Sequence, residues 1–287
     1  MPQANPQPRL VDAPRLARAR ARARLDQAGF LHDEAKAELQ ERLIDVNRRF
    51  TRPAVVTPFP ESWSDLLPDA HIVAPDEVLA LDPGAHDLVV HAMALHWADD
   101  PVGQIVQCRR ALQPDGLFLS AAFGGETLTE LRQALAEAEA ETLGGLSPRV
   151  APMAEIRDMG ALLQRAGLAL PVADRLPRTV TYANAFALMA DLRAMGETNA
   201  LADRHRAPAP RRLFLRMAEI YAARFPAADD PARIRASFEL IFLSGWAPHE
   251  SQQKPLRPGA ASARLADALG TREFDETAQA VLHPSDD

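Results

Sequence analysis

Asp87-Leu88-Val89-Val90-His91-Ala92, then Val102 to Leu112, then Gln113-Pro114-Asp115-Gly116, then Leu117-Phe118-Leu119-Ser120-Ala121-Ala122-Phe123: read in this order, these segments decide the fold. The first and last runs are short and almost wholly apolar, as strands buried on both faces of a parallel sheet are. The segment between them has the length of a helix, and Pro114 and Gly116 supply the fixed and the positive φ that a turn needs. Strand, helix, turn, strand is a βαβ unit.

Upstream, Ala54 to Thr57 and Ala70 to Ala74 are two further β-rich runs, and Asp33 to Arg49 reads as an amphipathic helix with Leu39, Leu43, Ile44 and Val46 mostly on one stripe. Downstream, Thr127-Leu128-Thr129-Glu130 has the pattern of a capping box, opening a helix that buries Leu128, Leu131 and Leu135 and ends at Gly144-Gly145. Helices are predicted from Ala154 to Ala166, stopping at Gly167, and from Asn184 to Met195, stopping at Gly196. Leu213, Met217, Ile220 and Tyr221 give one more. Val172 to Tyr182 and Ile234 to Trp246 read as strands, the latter with Ile234, Ala236, Phe238 and Leu240 on one face, and they are expected to pair antiparallel at a sheet edge. The expected organisation is a loose, Arg-rich arm over 1–29, one α/β domain over 30–262 and a frayed tail over 263–287.

The 287 residues are 47% apolar and 25% charged with a net charge of −7, which is the composition of a folding globular chain and argues against a nucleic-acid binder. No apolar run approaches the roughly 18 residues of a membrane-spanning helix. Cys108 is the only cysteine, so no intramolecular disulfide forms and a reducing, cytoplasmic setting is expected. His86, His91 and His96 lack the i,i+4 spacing that places two imidazoles on one metal, and no metal is expected. Arg15, Arg18, Arg20, Arg22 and Arg24 crowd one short stretch. A solvated helix face, a docking arm for an acidic partner or membrane surface, and a transit segment all remain open for it.

Asp87 to Val90, Ala94-Leu95-His96-Trp97 and Leu112 to Leu117 together resemble the fourth strand, its following loop and the turn into the fifth strand of class I S-adenosylmethionine-dependent methyltransferases. Phe123-Gly124-Gly125-Glu126-Thr127-Leu128, Ser147-Pro148, Asp191-Leu192-Arg193-Ala194-Met195-Gly196-Glu197 and Gly245-Trp246 with His249-Glu250-Ser251 sharpen the likeness. They resemble the branch of the mitochondrial complex I assembly factor regarded as an arginine hydroxylase, with bacterial relatives labelled methyltransferases. The likeness covers roughly Phe30 to Pro258. It implies a Rossmann-like methyltransferase sheet with an antiparallel edge pair and extra helices. It also implies S-adenosylmethionine as cofactor and a protein partner such as a complex I subunit, and leaves peripheral membrane contact open. By the resemblance Asp76 matches an adenine-contacting position. Leu95, His96 and Trp97 follow a strand's carboxyl end, where open α/β sheets hold their ligands.

The chain departs from the pattern at its first loop. The family has an acidic-x-Gly-x-Gly turn there, whose backbone N–H groups bind the cofactor. In this chain the residues are Val55-Val56-Thr57-Pro58-Phe59-Pro60, with no glycine between Gly29 and Gly84 and two prolines that remove donors. Length adds to this: three strands with two crossover helices need roughly 50 residues or more, so Val55 to Val90 is too short. The expected sheet is truncated near its first strands, lacking one strand and helix, with Val55-Val56 beside Ile72-Val73. The missing pair is read as the second strand and its helix.

Each candidate also has a plain packing role. Asp76 and Glu77 can cap a turn, His96 and Trp97 can form a buried plug, and Gly124 and Gly125 can serve a strand-to-helix turn. Trp246, His249 and Glu250 can be core and turn residues. No catalytic residue is assigned. Two functions stay open: an S-adenosylmethionine-dependent methyltransferase or arginine hydroxylase modifying a protein side chain, and a pseudoenzyme that keeps the scaffold as an assembly factor without a cofactor.

Overall fold

Alternate residues of each central strand face two different apolar layers, and this fixes the architecture. In a computed structural model that describes residues 9–252, the strands are β1 (Pro53–Val56), β2 (His71–Val73), β3 (His86–Ala92), β4 (Leu112–Phe123), β5 (Ala169–Tyr182) and β6 (Ile234–Trp246). They form one sheet in the order β2-β1-β3-β4-β6-β5. The helices are α1 (Ala13–Arg20), α2 (Leu25–Ala28), α3 (Phe30–Val46), α4 (Pro60–Trp63), α5 (Pro101–Ala111), α6 (Thr129–Leu143), α7 (Ile156–Arg165), α8 (Ala185–Ala194) and α9 (Arg211–Arg224), with one 3₁₀ turn over Leu95–Trp97. The chain divides into a unit from Met1 to His249 and a second from Glu250 to Asp287; the sheet and its helices all belong to the first. The predicted tail over 263–287 and the domain boundary at 262 lie outside the described residues.

Val55, Leu88, Val90, Leu117, Leu119 and Phe123 pack with α3, α6, α8 and α9 on one face. Val56, Val89, Phe118 and Ala122 pack with α5 and α7 on the other. This is the two-faced α/β layering that the continuous apolar runs predict. β1, β2, β3 and β4 are mutually parallel, whereas β6 is antiparallel to both β4 and β5. The expected edge pair is present, from Val172↔Ser244 to Tyr182↔Ile234, and Ile234, Ala236, Phe238 and Leu240 all face the same buried layer. Two strands precede Asp87, adjacent and in register Val55↔Ile72 and Val56↔Val73. The 57–70 crossover between them carries only the one-turn α4, and 74–85 carries no helix.

Four expectations need correction. First, residues 9–29 are not a loose arm: Val11 and Leu16 are buried, and Val11 bridges Leu201. Asp99 Oδ1 accepts from the backbone N–H groups of Leu10 and Val11, Asp12 pairs with Arg204, and Arg24 N donates to Ala194 O. Pro14 sits in the first turn of α1, where its missing N–H would have no helical partner anyway. Second, Ile44 leaves the apolar stripe of α3 and is 73% exposed. Third, Gln113 to Gly116 is not a separate turn; β4 runs through it with an irregularity against β3, and Asp115, not Gly116, takes the positive φ of 62°. Fourth, the capping box does not form. Thr127 Oγ1 donates to Glu239 O and accepts from Glu239 N, while Glu130 accepts from Ser237 N and Oγ. Strand β6, more than a hundred residues away, takes the groups that local spacing assigned to the helix end.

Candidate functional site

Open α/β sheets hold ligands beyond the carboxyl ends of their parallel strands, so the loops after β1, β2 and β3 are where a cofactor would be held. After β1, Thr57 N donates to Val73 O at 3.0 Å and Phe59 N donates to Thr57 Oγ1 at 3.2 Å. Pro58 and Pro60 have no N–H. From Thr57 to Pro60 every backbone donor is therefore absent or already committed. Phe59 instead stands edge-on to His32, with ring centroids 5.3 Å apart, and the fully buried Trp63 donates its indole N–H to His32 Nδ1 at 3.2 Å. α3 and the one-turn α4 thus fill this corner with aromatic rings. After β2 comes Ala74-Pro75; Asp76 is exposed, and its carbonyl oxygen accepts from Gln104 Nε2. The residues present do not fit S-adenosylmethionine: neither the N–H cradle for its polar groups nor a carboxylate directly at the end of β2 for its ribose is there.

The loop after β3 divides its residues between the two faces. Leu95 is buried in the layer under α5, away from the other candidates. His96 and Trp97 converge on Glu197, which sequence reading included in a motif without giving it a role. Trp97 Nε1 donates to Glu197 Oε2 at 2.7 Å, and His96 Nε2 donates to Oε1 at 3.3 Å. Phe123 N donates to His96 Nδ1 at 3.4 Å, which fixes that tautomer. Burial alone would push the Glu197 carboxyl up; His96, Trp97 and the nearby Arg20 outweigh it and hold the group below the ordinary glutamate range. It is an anion at neutral pH. Its position follows from Gly196, whose φ of +81° ends α8 and whose bare Cα lets Phe59 and Arg20 approach; a Cβ there would stand 3.3 Å from the Arg20 Cα and 3.4 Å from Phe59. No local signal marks Glu197 as the partner of residues a hundred positions earlier.

Of the sequence candidates, then, the structure brings together His96 and Trp97 and separates Asp76 and Leu95 from them. Gly124 and Gly125 make room for protein carboxylates: a Cβ on Gly124 would meet Glu239 Oε2 at 2.4 Å, and one on Gly125 would meet Glu155 Oε1 at 2.4 Å. Trp246 pairs with Leu117, at the start of the parallel part of β4, so it lies at the opposite end of the sheet from the ligand loops. The antiparallel run of β6 is the reason. Beyond Trp97 and Glu197 lies a cavity of about 300 Å³, bounded by residues of α1, α6, α8, α9 and the 149–153 segment. Among the described residues no group of three or more His, Cys, Asp or Glu is placed to hold a metal, and no helix is long and apolar enough to cross a membrane.

A family model described as a methyltransferase domain matches residues 19–120. The chain is 40% identical over 199 residues to an arginine hydroxylase, NDUFAF5, mitochondrial, of Dictyostelium discoideum, covering 69% of this chain and 45% of that protein. It is 35% identical over 212 residues to the protein of the same name from Danio rerio, covering 73% and 65%. A malonyl-[acyl-carrier protein] O-methyltransferase of Laribacter hongkongensis is 33% identical over 190 residues, covering 66% and 61%. The chain spans between 45% and 65% of the length of these relatives. By its sequence, its Rossmann-like sheet and its antiparallel edge pair, the chain belongs to the class I S-adenosylmethionine-dependent methyltransferase superfamily, in the branch of the NDUFAF5 relatives.

Proposed function

We propose that this chain is a degenerate member of its superfamily, a binding protein that keeps the scaffold and a partner-facing surface but does not hold S-adenosylmethionine. The observation that carries this reading is the donor inventory after β1, where each N–H from Thr57 to Pro60 is missing or bonded within the protein. Each lost charge-assisted hydrogen bond costs roughly 1.5–3 kcal/mol, so losing a few turns a micromolar ligand into a millimolar one. The partner is a protein, and the resemblance to a complex I assembly factor points to a subunit of that complex. A reducing, cytoplasmic setting belongs to the same reading and rests on the single cysteine.

The other reading, an active methyltransferase or arginine hydroxylase acting on a protein side chain, is favoured by the names of the relatives. Isothermal titration of the full chain with S-adenosylmethionine separates the two. No heat of binding is expected at micromolar ligand. A dissociation constant of about 10 μM or below, lost on Asp76→Ala, would restore the enzyme reading.

A further inference from the structure

The cavity beyond Trp97 is chemically lopsided. Its apolar wall includes Phe123, Leu131, Met153, Met189, Phe214 and Phe238, and its charged groups are Arg15, Arg149 and Arg193 against the single carboxylate of Glu197. Three arginines gather here in a chain whose net charge is −7. The acceptor side is already used: both Glu197 oxygens are held by His96 and Trp97, and Asn199 Oδ1 accepts from Leu201 N. The donor side is partly open. Arg149 Nη2 is paired with Glu139 Oε1 at 2.6 Å, but Arg15 Nε and Arg149 Nε are buried without a hydrogen-bond partner, and among the described residues neither Arg15 nor Arg193 makes an ion pair. A buried guanidinium N–H without an acceptor is unfavourable, and an anion beside it removes the penalty.

Size and charge narrow the class. About 300 Å³ lies at the small end of the range of small-molecule sites. The Glu197 anion on the same wall disfavours a second negative charge on the occupant. We propose that the cavity binds a small organic acid: one carboxylate, held by Arg15 and the exposed Arg193, on an apolar stem that lies against the phenylalanines. No residue of the β1 loop lines the cavity, so this inference goes beyond the cofactor reading and survives or fails separately from it.

The test is calorimetric titration of the full chain with 4-phenylbutyrate and with its neutral amide, at low and high salt. The acid binds at least about tenfold more tightly than the amide, and salt narrows the gap. Arg15→Gln and Arg193→Gln, checked for unchanged melting, each weaken the acid about tenfold and leave the amide unchanged. Equal affinity for acid and amide, or no binding of the acid at millimolar concentration, overturns the proposal on the wild-type chain alone. Wild-type affinity for the acid in both folded variants overturns it as well.

Discussion

On one flank of β3 stand β1 and β2, of four and three residues, joined through a single helical turn. On the other stand β4, β6 and β5, of 12, 13 and 14 residues, covered by α6, α8 and α9. Polar satisfaction does not follow the same divide. On the long flank the buried Glu130 and Glu239 are bound by Ser237, Glu126 N and Arg175. His32 Nε2 on α3 and His91 Nδ1 on β3 itself are buried with no partner, and so are Gln113 Nε2 and Ser120 Oγ on β4. The short flank carries the loop whose backbone donors are absent or committed, and the long flank carries the longer strands of the core.

The largest test of that asymmetry is Phe238→Ala. Phe238 is 1% exposed on β6, and its loss is expected to lower stability by about 3–5 kcal/mol, read from the urea midpoint. A shift no larger than that of a short-flank variant would erase the distinction. Next comes acid. Burial pulls His32 and His91 from 6.5 down to about 4, so both stay neutral when folded and take up protons when unfolded. Stability is thus full above about pH 6.5 and declines as pH falls toward 4, by up to about 3 kcal/mol per histidine. Denaturant unfolding at stepped pH checks this, and His91→Gln should flatten the slope; an unchanged slope would place the acid sensitivity elsewhere. Val73→Ala on β2 is expected to cost only about 1–2 kcal/mol. Smallest of all, the double change Pro58→Gly, Pro60→Gly should cost no more than about 1 kcal/mol and produce no S-adenosylmethionine binding. If titration of that variant gave a micromolar constant, the short flank would be blocked and not dismantled.

The parts of the fold legible in the sequence are those settled by neighbours along the chain. Val89-Val90 and Phe118-Leu119 are apolar on both faces of a strand, and that alone marks a parallel sheet buried on two sides. Asn184 caps α8 by accepting from Phe186 N and Ala187 N, as a short polar side chain before an apolar run does. That only two strands precede Asp87, side by side, was legible from chain length. What stayed hidden depends on distant groups. Thr127 and Glu130 have ideal spacing for a local cap, yet β6 offers them better partners. The alternation of arginines in α1 conceals Val11 and Leu16, whose burial requires Leu201 and its neighbours, nearly two hundred residues away. The site divides in the same way. His96 and Trp97 were readable from their place after a strand, but Glu197 and Arg15, which complete the arrangement, carry no mark of it.

β6 is the last described strand to be made, yet it lies inside the sheet between β4 and β5. During synthesis β4 leaves the ribosome with one edge of N–H and C=O groups open, and β5 follows with no strand to pair with. From Phe123 to Trp246, at roughly 5–20 residues per second, that interval lasts about 6–25 s. Such an edge is a template for pairing with other nascent chains. Shielding β4 over those seconds is therefore expected to raise the yield of folded protein in a cell, separately from any change in the stability of the finished sheet.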